Sequence, residues 1–218
     1  MKAAIVLIPL SLALASAGAV MFYVAQKPAQ APEADVPVIS SDFLVRHYVT
    51  PEMIKSTDGM AAKAAPFFKL KDIHDIPVQL GGAGSKPQFI YFVLKGCPCS
   101  IEAQPYFNRL YDRYKDKVDF VAVMSSKPAD AKDYAGECNV LGPVISDPEK
   151  KIIKSYGAVA SVYSAVVSPT GAILKMYPGI SIDMLNELNS RLAKLANTKE
   201  MPFDTAYAPK EYATGCAF

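Results

Sequence analysis

Lys95-Gly96-Cys97-Pro98-Cys99-Ser100 joins an unbroken apolar run, Gln88 to Leu94 (QFIYFVL), to a segment with helical periodicity. Such a run is what a central strand covered on both faces requires, because both sets of alternating side chains leave water. From Cys99 to Lys115, Ala103, Phe107, Leu110 and Tyr114 recur at spacings of four, three and four, which predicts an amphipathic helix. A thiol at that junction faces the unpaired N–H groups of the first turn and the positive end of the helix dipole. Both favour the thiolate, the form that attacks disulfides and peroxides. Cys97 takes this place, Lys95 adds a positive charge nearby, and Pro98 costs nothing in a first turn, where its missing N–H is not needed. Cys99 reads two ways. It forms a strained, readily reduced i,i+2 disulfide with Cys97 across the rigid proline, or it packs as a small buried hydrophobe.

Strand and helix signals alternate outward from this junction. Strands are predicted at Val78–Leu80, Val118–Met124, Val144–Ser146, Ser164–Ser168 and Ala172–Tyr177, the last two flanking the hairpin signal Pro169-Thr170-Gly171. Helices are predicted at Pro128–Gly136, Glu149–Tyr156 and Ile182–Leu195, with Leu185, Leu188, Leu192 and Leu195 on one stripe of the last. The resulting order, β-α-β-α-β-α-β-β-α, is an α/β domain with a mixed sheet, spanning residues 64–196.

Residues 1–25 read as a transmembrane anchor or a signal segment. Ala3 to Ala25 carries no charge and has about the 20 residues that cross a bilayer. Lys2 precedes it, while Glu33 and Asp35 follow beyond Lys27, which places the N-terminus in the cytoplasm and the rest in an extracytoplasmic, periplasmic space. Disulfides persist there. Ala15-Ser16-Ala17 supplies the competing reading, cleavage before Gly18, but the apolar run continues well beyond it. Residues 26–63 read as a Pro- and Ala-rich linker followed by an N-terminal extension, in which Pro51 suits the start of a short helix. Residues 197–218 form a tail rich in Pro and Tyr that carries Cys216 near its end.

Composition narrows the function. Hydrophobic residues at 51% and charged residues at 20% describe a globular chain, and a net charge of +2 without a basic run excludes an electrostatic nucleic-acid binder. Two histidines, His47 and His74, both read as solvated, leave little for a His-built metal or acid–base site. Cu(I) on the soft thiolates is a minor alternative, and no metal or organic cofactor is assigned. Gly81-Gly82-Ala83-Gly84 has no helix after it and reads as a loop, not a phosphate cradle. Tyr106, Phe107, Tyr111 and Tyr114 read as packing.

At these residues the chain resembles the thioredoxin-like superfamily, in particular its membrane-tethered TlpA-type and AhpC/TSA redoxin branch. Ala65-Pro66-Phe67 with Leu70 and Asp72 is similar to the family's opening; Asp147-Pro148, Tyr156-Gly157 and Pro169-Thr170-Gly171 resemble later landmarks. Cys97 matches the first cysteine of the family's C-x-x-C, and Pro105 falls where the family bends its helix. The resemblance implies a thioredoxin-like fold and thiol–disulfide exchange, with protein thiols or disulfides as partners. The departures are informative. Ser100 stands at the usual resolving cysteine, Gly96 at a usual tryptophan, Tyr91 at the buried acid of thioredoxins proper, and Val162 at the cis-proline opposite the site. Leu94 and Val162 replace the hydroxyl residue and arginine of peroxiredoxins, which argues against an efficient peroxidase.

Cys97 is thus expected to attack, with Cys99 as the first candidate to resolve it and Cys216 as the second, on a mobile-looking tail. A Cys138–Cys216 staple is the structural alternative. The expected protein is a membrane-tethered, extracytoplasmic thiol–disulfide oxidoreductase. Its rivals are a non-catalytic thioredoxin-fold subunit of a membrane complex and a peroxiredoxin-like peroxidase.

Overall fold

Six successive side chains, Gln88 to Val93, lie out of water in one strand, and the sheet is assembled around them. The computed structural model describes residues 47–218. The apolar run 3–25 and the linker after it lie outside the described residues. Among the described residues no helix is long and apolar enough to cross a membrane. In chain order the elements are β1 (His47–Tyr48), α1 (Pro51–Asp58), β2 (Phe68–Lys71), β3 (Pro77–Leu80), β4 (Gln88–Val93), α2 (Pro98–Tyr114) and β5 (Asp119–Met124). They continue as α3 (Pro128–Glu137), β6 (Val144–Ser146), α4 (Lys151–Ser155), β7 (Ser164–Val167), β8 (Ile173–Tyr177), α5 (Ile182–Leu195) and β9 (Ala213–Thr214).

The central sheet has the order β6-β5-β4-β7-β8. β4 pairs in parallel with β5 and antiparallel with β7, giving the mixed sheet the alternation predicts. Side-chain alternation along β4 feeds two cores. Phe89, Tyr91 and Val93 pack in one cluster with Phe107 and Leu110 of α2 and Leu185, Leu188 and Leu192 of α5. Ile90 and Phe92 join the other with Ile152, Ile153 and Tyr156 around α4.

The element positions agree closely with the sequence pattern, with three additions. β2 pairs with β3 as a hairpin apart from the main sheet, where the pattern marked only Val78–Leu80. β1 and β9 are two-residue strands that pair with each other, and Ala213 of β9 also bridges to Ile180. Neither has the length to show a period. The helix expected from Glu149 is shorter, because Lys150 takes a left-handed conformation at φ +57° and α4 starts at Lys151. α1 opens at Pro51, capped by the Thr50 hydroxyl, and lies against β8 through an Asp58–Lys175 ion pair of 2.7 Å.

Asp147 shows how a landmark residue is used. Its buried carboxylate accepts the N–H groups of Lys151, Ile152 and Ile153 at 2.9, 2.9 and 3.0 Å, satisfying the start of α4. Asp147→Ala leaves these donors unpaired inside the fold and is expected to cost about 2 kcal/mol in chemical denaturation.

Candidate active site around Cys97

The turn that delivers Cys97 is closed by its own N–H, which donates to the Leu94 carbonyl at 3.2 Å. Gly96 occupies the third position at φ +77°, a conformation that disfavours a side chain. The glycine that departs from the family's tryptophan is therefore what this turn needs. Cys97 is the N-cap of α2 and Pro98 its first residue. α2 runs on through Pro105, which has no N–H to offer the Ile101 carbonyl one turn back.

Three sequence-predicted cysteines meet here. The Cys97 sulfur accepts the N–H of Cys216 at 3.2 Å and lies 3.1 Å from the Ser161 hydroxyl. The Cys99 and Cys216 thiols are near enough to act on it as further donors. These donors hold the Cys97 pKa well below the ordinary thiol range, the Cys99 thiol contributing most, against the opposing effect of burial. The same contacts hold the protons on the donors: Cys99 is pushed up, and Cys216 is raised to about 11.

The source of the stabilisation differs from the sequence expectation. No helix-start N–H caps the Cys97 side chain. Pro98 has no N–H, and those of Ser100 and Ile101 go to the Cys97 carbonyl at 3.0 and 3.3 Å. The single backbone N–H on the sulfur comes from the tail instead. Lys95 is also diverted, bonding to Asp130 and Asp133 of α3 at 3.0 Å each.

Of the other predicted positions, Ser100 turns its hydroxyl to the Leu94 N–H at 3.2 Å. Val162 is fully buried and holds φ +66°, a strained conformation for a β-branched residue, and its N–H bonds to the Phe92 carbonyl at 2.7 Å. The described residues contain no cis peptide bond. Tyr91 accepts a bond from the Gln104 amide at 3.1 Å, and burial pushes its pKa up. Cys138 caps the end of α3 and bonds to Tyr134, with burial raising its pKa. All four cysteines are free thiols, and the structure places Cys216 against Cys97, not against Cys138.

The tail is not a loose arm. Tyr106 donates to the Ala206 carbonyl at 2.9 Å, and Arg113 to those of Met201 and Pro202 at 3.0 and 2.6 Å. Farther on, Ala213 exchanges bonds with Ile180 at 2.9 and 2.7 Å, and Ser161 donates to the Cys216 carbonyl at 2.8 Å. Two residues of this site escaped the sequence reading. Ser161 had a signal, since it directly precedes the position opposite the motif. Gly215 had only its place before Cys216. A Cβ on Gly215 would lie 1.9 Å from the Ser161 oxygen and 3.1 Å from the Cys97 sulfur, so only glycine lets the tail approach.

A mixed sheet with a cysteine at the N-cap of the helix after its central strand defines a thioredoxin-fold protein. The redoxin family model matches residues 60–192, more than half of the chain, and the chain belongs to that family. The thiol-disulfide oxidoreductases ResA of Bacillus thuringiensis and Bacillus cereus are each 30% identical to it over 120 residues, covering 54% of this chain and 69% of theirs. Among solved structures, an uncharacterized conserved protein from Geobacillus kaustophilus superposes with a TM-score of 0.58 at 21% identity, covering 72% of this chain and 90% of that one. The thioredoxin domain of a thiol-disulfide oxidoreductase from Bacteroides vulgatus gives 0.52 at 21% identity, covering 61% and 97%. These superpositions establish the fold.

Two outcomes are expected. A thiol with a depressed folded pKa stabilises the fold above its unfolded value of about 8.5, and that contribution is lost as pH falls toward the folded pKa. Thermal melts of the reduced protein should therefore drop on acidification from about pH 8 to about pH 5, and Cys97→Ser should flatten the dependence. Gly215→Val should drive the tail from Ser161 and speed alkylation of Cys97 by about tenfold, read by peptide mass spectrometry.

Proposed function

We propose that this redoxin is a thiol–disulfide oxidoreductase, tethered to a membrane through residues 3–25 with its domain in the extracytoplasmic space, acting on protein thiols or disulfides. One observation carries the activity: the Cys97 sulfur accepts the Cys216 N–H at 3.2 Å and lies 3.1 Å from the Ser161 hydroxyl, and together with the neighbouring Cys99 and Cys216 thiols these groups favour its thiolate. Exchange proceeds by attack of a thiolate on a disulfide sulfur, so a stabilised thiolate beside a second thiol is the minimum equipment. The names of the Bacillus relatives support the same reaction. The uncharged run before a Pro-rich linker supports the tether.

Cys97 is the residue that alternates between thiolate and disulfide. Cys99 and Cys216 are its two candidate mates. Ser161 and the Cys216 N–H help hold the negative charge. A second reading, a non-catalytic subunit of a membrane complex, draws on the burial of Cys97, which is only 1% exposed.

A glutathione redox series with disulfide mapping separates the two. Exchange requires a bond at Cys97 that opens at a moderately oxidising potential, with Cys97→Ser removing all turnover of a dithiol peptide. Thiols at Cys97 and Cys99 that remain free across the series would establish the structural reading. The tether predicts that the full chain sediments with membranes and that an alkaline phosphatase fused after Phe218, which needs disulfides to fold, is active.

A further inference from the structure

Exchange at Cys97 meets a difficulty of access. Cys97 is 1% exposed and Cys99 4%, which leaves a partner's sulfur no approach to either. Cys216 is only partly buried. The segment that carries it is pinned by backbone hydrogen bonds to the chain before β7. The N–H groups of Gly215 and Phe218 donate to the carbonyls of Ser161 and Val159, both at 3.1 Å, and Ser161 returns a bond to Cys216 at 2.8 Å. Ala217 forms a bridge with Ala160 between them. The residue that covers Cys97 is thus also the least buried cysteine of this site.

We propose that Cys216 is the sulfur through which this protein exchanges disulfides with a partner's dithiol, the buried Cys97 being its redox mate and not the point of contact. The inference rests on the exchange activity proposed above and specifies its geometry. In the oxidised protein Cys97 and Cys216 share a disulfide. A thiolate of the partner attacks the Cys216 sulfur, a bond forms between them, and the Cys97–Cys216 bond breaks with its electron pair going to Cys97. The partner's second thiolate then attacks the partner's own sulfur in the mixed disulfide, and Cys216 leaves and takes up a proton. The partner dithiol is oxidised to a disulfide and the protein disulfide is reduced. Of the partner's two protons, one ends on Cys216 and one in solvent, since Cys97 stays a thiolate. Run backward with a partner disulfide, the same steps regenerate the oxidised protein.

The direction of attack also follows from the leaving groups. A thiol of lower pKa leaves faster. Attack at Cys216 expels Cys97 into the donors of Cys99, Ser161 and the tail N–H, whereas attack at Cys97 would forgo that stabilisation of the leaving thiolate.

The test uses the oxidised full chain and reduced glutathione as the probe thiol. After acid quenching and alkylation, peptide mass spectrometry locates the glutathione adduct. About tenfold or more adduct is expected on Cys216 relative to Cys97. With oxidised glutathione, Cys97→Ser should still be modified at Cys216, while Cys216→Ser should slow modification of Cys97 by about tenfold. Adduct chiefly on Cys97, or unchanged modification of Cys97 in Cys216→Ser, overturns the inference: the partner then displaces the tail. A Cys97–Cys99 disulfide that exchanges without Cys216 also overturns it and leaves the exchange activity standing. If no reducible disulfide forms at Cys97, both fail.

Discussion

Strand β4 holds six consecutive side chains away from water, and the other elements can be placed by which of them each one covers. Phe89, Tyr91 and Val93 need α2 and α5 on one face; Ile90 and Phe92 need α4 on the other. Because parallel β5 and antiparallel β7 satisfy both of its edges, the strand has little freedom to shift. Its C-terminal end is therefore a fixed point. The Leu94–Cys97 turn converts that rigidity into a defined position for the sulfur at the start of α2. A reactive thiol delivered by a loose loop would lose the alignment with its donors on which a lowered pKa depends.

The second half of the site arrives from the far end of the chain. The backbone bond from Ser161 to Cys216 and the missing side chain at Gly215 bring the tail into contact with Cys97. This closure does two things at once. It supplies an N–H and a thiol to the Cys97 thiolate, and it removes that thiolate from solvent. Burial alone would raise the pKa of a thiol; donors reverse the sign here, the largest contribution coming from Cys99 on α2 and further ones from the burying tail and Ser161. The tail thus protects Cys97 and adds to an activation that begins with Cys99.

The departures from the family pattern acquire separate explanations. Gly96 serves a turn with positive φ, and Tyr91 fills the first core and bonds to Gln104 where thioredoxins proper keep an acid. Ser100, at the usual resolving position, is committed to the Leu94 N–H. Val162 keeps a trans bond and a strained φ of +66°, held by its N–H to Phe92 and by complete burial. The segment beside Val162, which faces the motif, is taken up by the tail.

The sequence by itself determined the α/β class, the central strand, the placement of Cys97 at a helix start and the order of the elements around it. Those features rest on local periodicity and turn chemistry, which operate over a few residues and so can be read from neighbours in the chain. Only the tertiary structure decided what surrounds the sulfur. The pairing of β1 with β9, the seating of Gly215 against Ser161, and the choice of Cys216 over Cys138 beside Cys97 join residues far apart in sequence. Such contacts leave no period. The pKa of Cys97 depends on those contacts in turn, because hydrogen-bond donors act over about 3 Å in space whatever their separation along the chain.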